Sequence, residues 1–316
     1  MLSLKRIPSW LLFIFLSIVI LAASIFYVEI YSNPREISSV ETIEVAATTG
    51  MVADITQIIG GNILRVTGLM GSGVDPHLYK ATAGDLDILA NAEIIFFSGL
   101  HLEAGLGKIL EVVANGKAVT DDIPRNELLG DVQFANQFDP HVWFDVEFWM
   151  KAVKTVNFTL GLYFPSYRTI FDANTINYLQ ELETLHEYVI NRSQELPKAQ
   201  RVLVTAHDAF RYFGKKYGFE VVGLQGISTV TEAGTADVSE LADFILERQI
   251  RAVFVESSVP QRTIEAVIEA CADRGWVVNI GGSLFSDAMG DSGTFEGTYI
   301  GMVTHNIDTI VDALSD

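Results

Sequence analysis

Residues 167–191 pass without a glycine or proline, and within them Phe171, Tyr178, Leu182, Leu185 and Val189 recur at intervals of seven, four, three and four. That is the period of one amphipathic α-helix, opened near Pro165 and Ser166 and stopped before Pro197. A helix of this length reaches roughly 40 Å at 1.5 Å per residue, so it predicts a stiff connecting rod and not a flexible hinge.

Strand-like and helix-like segments alternate on both sides of the rod. Before it, 42–47, 64–70 and 93–98 read as strands, with helices at 51–59 and 83–91. After it, strands are expected at 201–205, 220–224, 252–256 and 276–280, with helices at 208–217, 238–249 and 261–274. Repetition of βα units calls for parallel sheets covered by helices. The expected fold is therefore α/β, with two Rossmann-like lobes at 41–163 and 197–316 joined by a connecting helix at 164–196. Open sheets of this kind bind ligands at the carboxyl ends of their strands, which puts a site in the cleft between the lobes.

Residues 1–40 stand apart from this pattern. Lys5 and Arg6 precede an uncharged apolar run from Trp10 to Val28 and then a polar spacer. This reads as an export signal, with the positive residues kept on the cytoplasmic side and the remainder translocated. The run approaches the ~20 residues that span a bilayer, so an uncleaved anchor is open alongside cleavage near Ala22, Ala23 and Ser24. Either outcome places the folded part in the periplasm or on the outer face of the cytoplasmic membrane. Cys271 is the single cysteine, so neither an internal disulfide nor a lipid-bearing lipobox cysteine is available, and its helical setting reads as a buried apolar position. A net charge of −19 argues against nucleic acid as a partner, because phosphate binding needs clustered Lys and Arg.

The tripeptide Asp-Pro-His occurs twice, at Asp75-Pro76-His77 and Asp139-Pro140-His141. Proline fixes its own φ and biases the preceding Asp away from the α region, so each histidine sits on locally rigid backbone. The two aspartates are candidates to accept from the second nitrogen of the imidazoles. His207 follows the strand expected at 201–205, and Asp287 follows the strand at 276–280 through an expected turn at Gly281 and Gly282. Three imidazoles and a carboxylate suit zinc, manganese or iron(II), and four protein ligands fill a tetrahedral site. Such a site holds and carries one divalent metal. Taken singly, each histidine is more often a cap or a hydrogen-bonded polar residue, and the wide spacings match no local metal motif. His101 is expected to begin a helix in a structural or supporting role, His186 to be solvated on the rod, and His305 to neighbour the cap of a last helix at 306–314.

The stretches Gly73-Val74-Asp75-Pro76-His77-Leu78-Tyr79, Gly99-Leu100-His101-Leu102-Glu103, Asp139-Pro140-His141-Val142-Trp143, Ala206-His207-Asp208-Ala209-Phe210 and Gly282-Ser283-Leu284-Phe285-Ser286-Asp287-Ala288-Met289-Gly290 resemble the metal-binding solute-binding proteins of ABC-type manganese and zinc importers, the cluster A-I or TroA-like family. The resemblance runs from about Glu44 to the C-terminus. It implies a two-lobed protein with a rigid connecting helix and one metal in the cleft, held by His77, His141, His207 and Asp287. It also implies delivery to a membrane permease by a protein expected to act as a monomer. The manganese branch commonly has Glu where this chain has His207. Zinc-dedicated relatives often carry a His-rich acidic loop and a disulfide, whereas residues 121–138 here contain no histidine and Cys271 has no partner. Strict specificity for either metal is weakened accordingly.

Competing readings are a metallohydrolase with Glu256 as general base, a dinucleotide site at Gly68-Leu69-Met70-Gly71-Ser72-Gly73, and a surface adhesin with a structural metal. The glycine spacing fails the Gly-x-Gly-x-x-Gly fingerprint, which sets the dinucleotide reading aside.

Overall fold

In the computed structural model, residues 42–110, 112–130 and 137–315 are described. The export signal expected at 1–40 lies outside them. Four short strands, Ile43–Ala47 (β1), Leu64–Gly68 (β2), Ile94–Phe97 (β3) and Gly116–Ala118 (β4), form one parallel sheet in the order β2-β1-β3-β4. β1 pairs with β2 from Ile43 opposite Leu64 to Ala47 opposite Gly68, and with β3 from Val45 opposite Ile94. Chain order reverses between β1 and β3, the place in an open sheet where strand ends splay and leave a crevice.

Helices Gly50–Gly60 (α1), Ala83–Asn91 (α2) and Gly107–Leu110 (α3) connect these strands. Thr49 caps α1 by accepting from the Val52 amide, and Thr82 and Asp85 form a reciprocal capping box on α2. Val146–Tyr163 (α4), which the sequence pattern did not delimit, starts at the cap Asp145, whose carboxylate accepts from the Glu147 amide.

The rod is the helix Arg168–Glu195 (α5), and it buries Phe171, Tyr178, Leu182, Leu185 and Val189 against α1 and α4. Each such side chain contributes on the order of 1.5–3 kcal/mol when removed from water. His186 corrects the sequence reading. It is buried and not solvated, with Nδ1 3.1 Å from the Tyr217 hydroxyl and Nε2 3.8 Å from Glu147. Neighbouring helices cover a wider face of the rod than its apolar stripe alone indicates.

After the rod, Val202–His207 (β5) pairs in parallel with Glu220–Gln225 (β6), and Ala252–Glu256 (β7) pairs in parallel with Asn279–Leu284 (β8), with β5 packed against β7. The intervening helices are Arg211–Tyr217 (α6), Thr235–Arg248 (α7) and Arg262–Asp273 (α8), and Tyr299–Ser315 (α9) closes the described chain. Cys271 is buried in α8.

Three expectations shift here. His207 is the last residue of β5 and does not lie beyond it. Gly281 and Gly282 are inside β8 and not in a turn, because α9 lies directly on that strand. A Cβ on Gly281 would come within 2.8 Å of Ala313 Cβ, and one on Gly282 within 2.4 Å of Thr309 Cγ2. α9 begins at Tyr299 and not near residue 306, so His305 is mid-helix, with Nε2 3.0 Å from the Ser283 carbonyl oxygen. Among the described residues, no helix is long and apolar enough to cross a membrane.

Candidate metal centre

Both Asp-Pro-His tripeptides fold alike: the aspartate Oδ1 accepts from the amide of the histidine two residues on, at 2.8 Å for Asp75 and His77 and 3.0 Å for Asp139 and His141. The local turn thus sets each histidine backbone from its own sequence. Their imidazoles are treated differently. Asp139 Oδ1 also lies 2.8 Å from His141 Nδ1, whereas the second oxygen of Asp75 accepts from the Thr229 hydroxyl at 2.5 Å. The expected carboxylate support therefore reaches His141 but not the ring of His77.

His77 lies in the loop after β2, His141 in the loop after β4, His207 at the end of β5 and Asp287 just beyond β8. His207 thus closes a parallel strand, His77 and Asp287 follow one, and His141 lies well past β4, just before the turn at Val142–Phe144. The carboxyl ends of such strands leave backbone free to aim side chains inward. The structure brings them together, all buried, with one ligand-type atom from each lying within 4.8 Å of the others. His77 Nε2 and His141 Nε2 are 3.4 Å apart. His141 Nε2 is 3.3 Å from Asp287 Oδ1, His207 Nε2 is 3.3 Å from Asp287 Oδ2, and His77 Nε2 is 3.9 Å from Asp287 Oδ2.

Ligand atoms about 2.0–2.1 Å from a tetrahedral ion lie roughly 3.3–3.4 Å from one another, so the shorter spacings suit a zinc-sized cation. Both Asp287 oxygens and His207 Nε2 are buried without a hydrogen-bond partner. Unsatisfied polar atoms of this kind cost about 1–3 kcal/mol each or more, and three of them around one point suit a cation there. Harder divalent ions such as manganese also accept this nitrogen and oxygen set.

The electrostatics divide the histidines. Burial, reinforced by the neighbouring His141 and His207 and only partly opposed by Asp287, pushes His77 down to about 3. Burial also works against charge on His141, but Asp139 and Asp287 outweigh it and hold the ring at about 9. At His207 the charges of Glu256 and Asp287 likewise overcome burial and raise the ring well above its usual range. Asp287 lies well below the ordinary carboxylate range, since the three imidazoles overcome its own burial.

Glu256 ends β7, and both of its oxygens are engaged by His207: one is 2.5 Å from Nδ1 and the other accepts from the backbone amide at 2.8 Å. This corrects its place as a candidate general base, because a carboxylate so occupied positions an imidazole and has no free oxygen for water. The sequence signal was an acidic residue closing an apolar strand, Ala-Val-Phe-Val-Glu. His101 does not begin a helix; it is exposed in a turn with φ 67°, following Leu100 at φ 55°, and the next helix starts at Gly107. His101, His186 and His305 are outside the cluster.

Thr229, Arg211, Tyr212 and Trp143 also shape the centre and were missed, since their partners are far away in sequence. Tyr212 Oη donates to the Asp139 carbonyl at 3.0 Å and accepts from the Leu129 amide at 3.0 Å, and Arg211 donates to the Gly130 carbonyl at 3.0 Å. Trp143 Nε1 donates to the Ser286 carbonyl at 3.1 Å, and Tyr299 Oη donates to the Trp143 carbonyl at 2.7 Å.

Comparison with known proteins agrees with this architecture. Residues 45–313 match the family model described as ZnuA, zinc-uptake complex component A, periplasmic. The chain is similar to the zinc-binding protein TroA of Treponema pallidum, 50% identical over 274 residues, covering 86% of this chain and 88% of that one. It is also similar to the manganese-binding lipoprotein MntA of Bacillus subtilis, 46% identical over 280 residues, covering 88% and 91%. The solved structure of the periplasmic zinc-binding protein TroA from T. pallidum superimposes with a TM-score of 0.84 over 86% of this chain and 99% of that one, at 50% identity.

Proposed function

This chain belongs to the ZnuA family of zinc-uptake component A proteins, and we propose that it captures one divalent transition metal, zinc or manganese, outside the cytoplasmic membrane and hands it to the membrane permease of an ABC importer. The observation that carries the reading is the buried centre of His77, His141, His207 and Asp287, whose carboxylate oxygens and His207 Nε2 have no partner. The metal is cargo. Four protein ligands leave no position for a reacting water, and Glu256 is committed to His207, so the arrangement favours carriage over hydrolysis.

Residues 41–163 and 197–316 act in this reading as two lobes, each supplying two ligands, with 164–196 as the stiff connection. The relatives named for zinc and for manganese are nearly equal in identity, and the donor set accepts both ions. Affinity in such a nitrogen-rich site follows the order that puts zinc above manganese, so the metal carried is set by supply and by the permease as well as by the ligands. Attachment to the membrane, where it occurs, is assigned to the apolar run beginning at Trp10, since no lipobox cysteine is present.

The test is elemental analysis of the protein purified without added metal, followed by titration of stripped protein with zinc and with manganese. One equivalent bound per chain is expected; failure to take up either ion would overturn the reading.

A further inference from the structure

Three of the four proposed ligands are held by cross-bracing, and the fourth is not. The His141 loop is tied to α6 through Tyr212 and Arg211 and to the Asp287 loop through Trp143. The Asp287 loop is further pinned by Asn306, which accepts from the Phe285 amide at 2.9 Å and donates to its carbonyl at 2.7 Å. His141 and His207 each have a carboxylate at Nδ1, from Asp139 and Glu256. His77 has no such contact. Its loop is mostly exposed or half-buried and has neither helix nor strand between Gly71 and Ala81. Tyr79 anchors the far end of this loop, its hydroxyl donating to Asp85 Oδ2 at 2.7 Å with the Leu69 carbonyl 3.4 Å away. Among the described residues, and apart from the ligand cluster itself, residues 71–78 ahead of that anchor are tied to the remainder of the chain by one hydrogen bond, Thr229 Oγ1 to Asp75 Oδ2 at 2.5 Å. The same carboxylate holds the His77 amide with its other oxygen. A cavity of about 330 Å³, lined by Asp75, Leu78 and Thr229 among others, adjoins this contact and gives the loop room to move.

We propose that Thr229 is the latch that seats His77, and that residues 71–78, hinged at Tyr79, are the door through which the metal enters and leaves. The proposal rests on the metal-carrying reading above. Asp75 transmits the latch: while Thr229 holds one carboxylate oxygen, the other fixes the His77 backbone, and His77 Nε2 stays with the three braced ligands. When the latch opens, His77 withdraws first, because outside the ligand cluster no hydrogen bond of its own ring restrains it. Thr229 is accordingly a positioning residue that governs the rate of exchange and does not touch the metal.

The full chain and its Thr229→Val and Thr229→Ser variants are loaded with cobalt(II), their absorption spectra are recorded at saturation, and release into excess chelator is timed. Thr229→Val, which deletes the hydroxyl, is expected to release cobalt about tenfold faster. Thr229→Ser keeps the hydroxyl and is expected to stay near the wild-type rate, with all three saturated spectra superimposable. Hydrogen exchange of the metal-free proteins supplies a readout without metal: residues 71–78 are expected to exchange faster in Thr229→Val, and residues 139–145 equally in all three. Wild-type release by Thr229→Val, equally fast release by Thr229→Ser, an altered saturated spectrum, or unchanged exchange at 71–78 would each overturn the latch. A wild-type protein that takes up no cobalt overturns the metal reading itself, whereas one that binds cobalt beside an unchanged Thr229→Val overturns the latch alone.

Discussion

Glu256 grips His207 at two points, with one carboxylate oxygen 2.5 Å from Nδ1 and the other accepting from the backbone amide at 2.8 Å. This orients Nε2 toward Asp287, 3.3 Å away, and the anion makes the imidazole a stronger donor to a cation. Glu256→Gln keeps the shape but loses the charge. Metal affinity is expected to fall about 10–100-fold, read by competition with a chromophoric chelator. Unchanged affinity would remove Glu256 from the centre.

Replacing His77, His141, His207 or Asp287 by Ala is expected to lower affinity by about an order of magnitude or more in each case, since water in the vacated position is a poorer donor. His186→Ala and His305→Ala are the controls, and affinity should not change in either. His186→Ala is nonetheless expected to cost about 1 kcal/mol of folding stability, because it removes the partner of the Tyr217 hydroxyl in a buried setting. Denaturant unfolding of the metal-free protein reads that difference.

Metal uptake should release protons. His141 is held up at about 9 and His207 well above the usual range, so at neutral pH both carry protons in the metal-free protein, while His77, at about 3, carries none. Coordination must displace those protons, so affinity rises with pH through the neutral range and falls toward acid. Calorimetric titration of zinc at pH 7 in buffers of different ionisation enthalpy is expected to show about two protons expelled per metal. A heat that is independent of buffer would contradict this.

A second pH effect belongs to the fold. Burial raises Asp54 to about 6, partly offset by the hydrogen bond from the Tyr299 amide. Its folded value is above the unfolded one, so the native state binds the proton more tightly, and stability falls as pH rises from about 4 through 6. The shift corresponds to about 3 kcal/mol. Asp54→Asn keeps an acceptor for Tyr299 and is expected to flatten this slope and raise stability at pH 7. Parallel urea-unfolding curves at pH 4.5 and 7 for both proteins measure it, and identical slopes would refute the assignment.

Leu182→Ala tests the rod. The side chain is fully buried in α5, and its loss is expected to cost about 2–5 kcal/mol, read as a lowered denaturation midpoint at unchanged slope. A cost below about 1 kcal/mol would mean that the site collapses around the gap.

The sequence alone determined the features that depend on neighbouring residues. The rod's period marked its buried side chains, the βα alternation specified parallel sheets, and each Asp-Pro-His dictated its own turn. It also nominated the four residues of the centre through the resemblance of the stretches around them, since taken singly each histidine is more often a cap or a hydrogen-bonded residue. Tertiary structure decided everything that needed a distant partner. The sequence made Asp75 and Asp139 look equivalent, but Asp139 supports the His141 ring while Asp75 was drawn to Thr229. Glu256 looked like a free base until β7 placed it beside the end of β5. His186 looked solvated among charges until Tyr217 covered it, and two glycines resembled a turn until α9 lay against β8. The periodicity of a segment reports which of its faces is apolar, whereas which group meets which across 31 to 154 residues follows from how the sheets and helices pack.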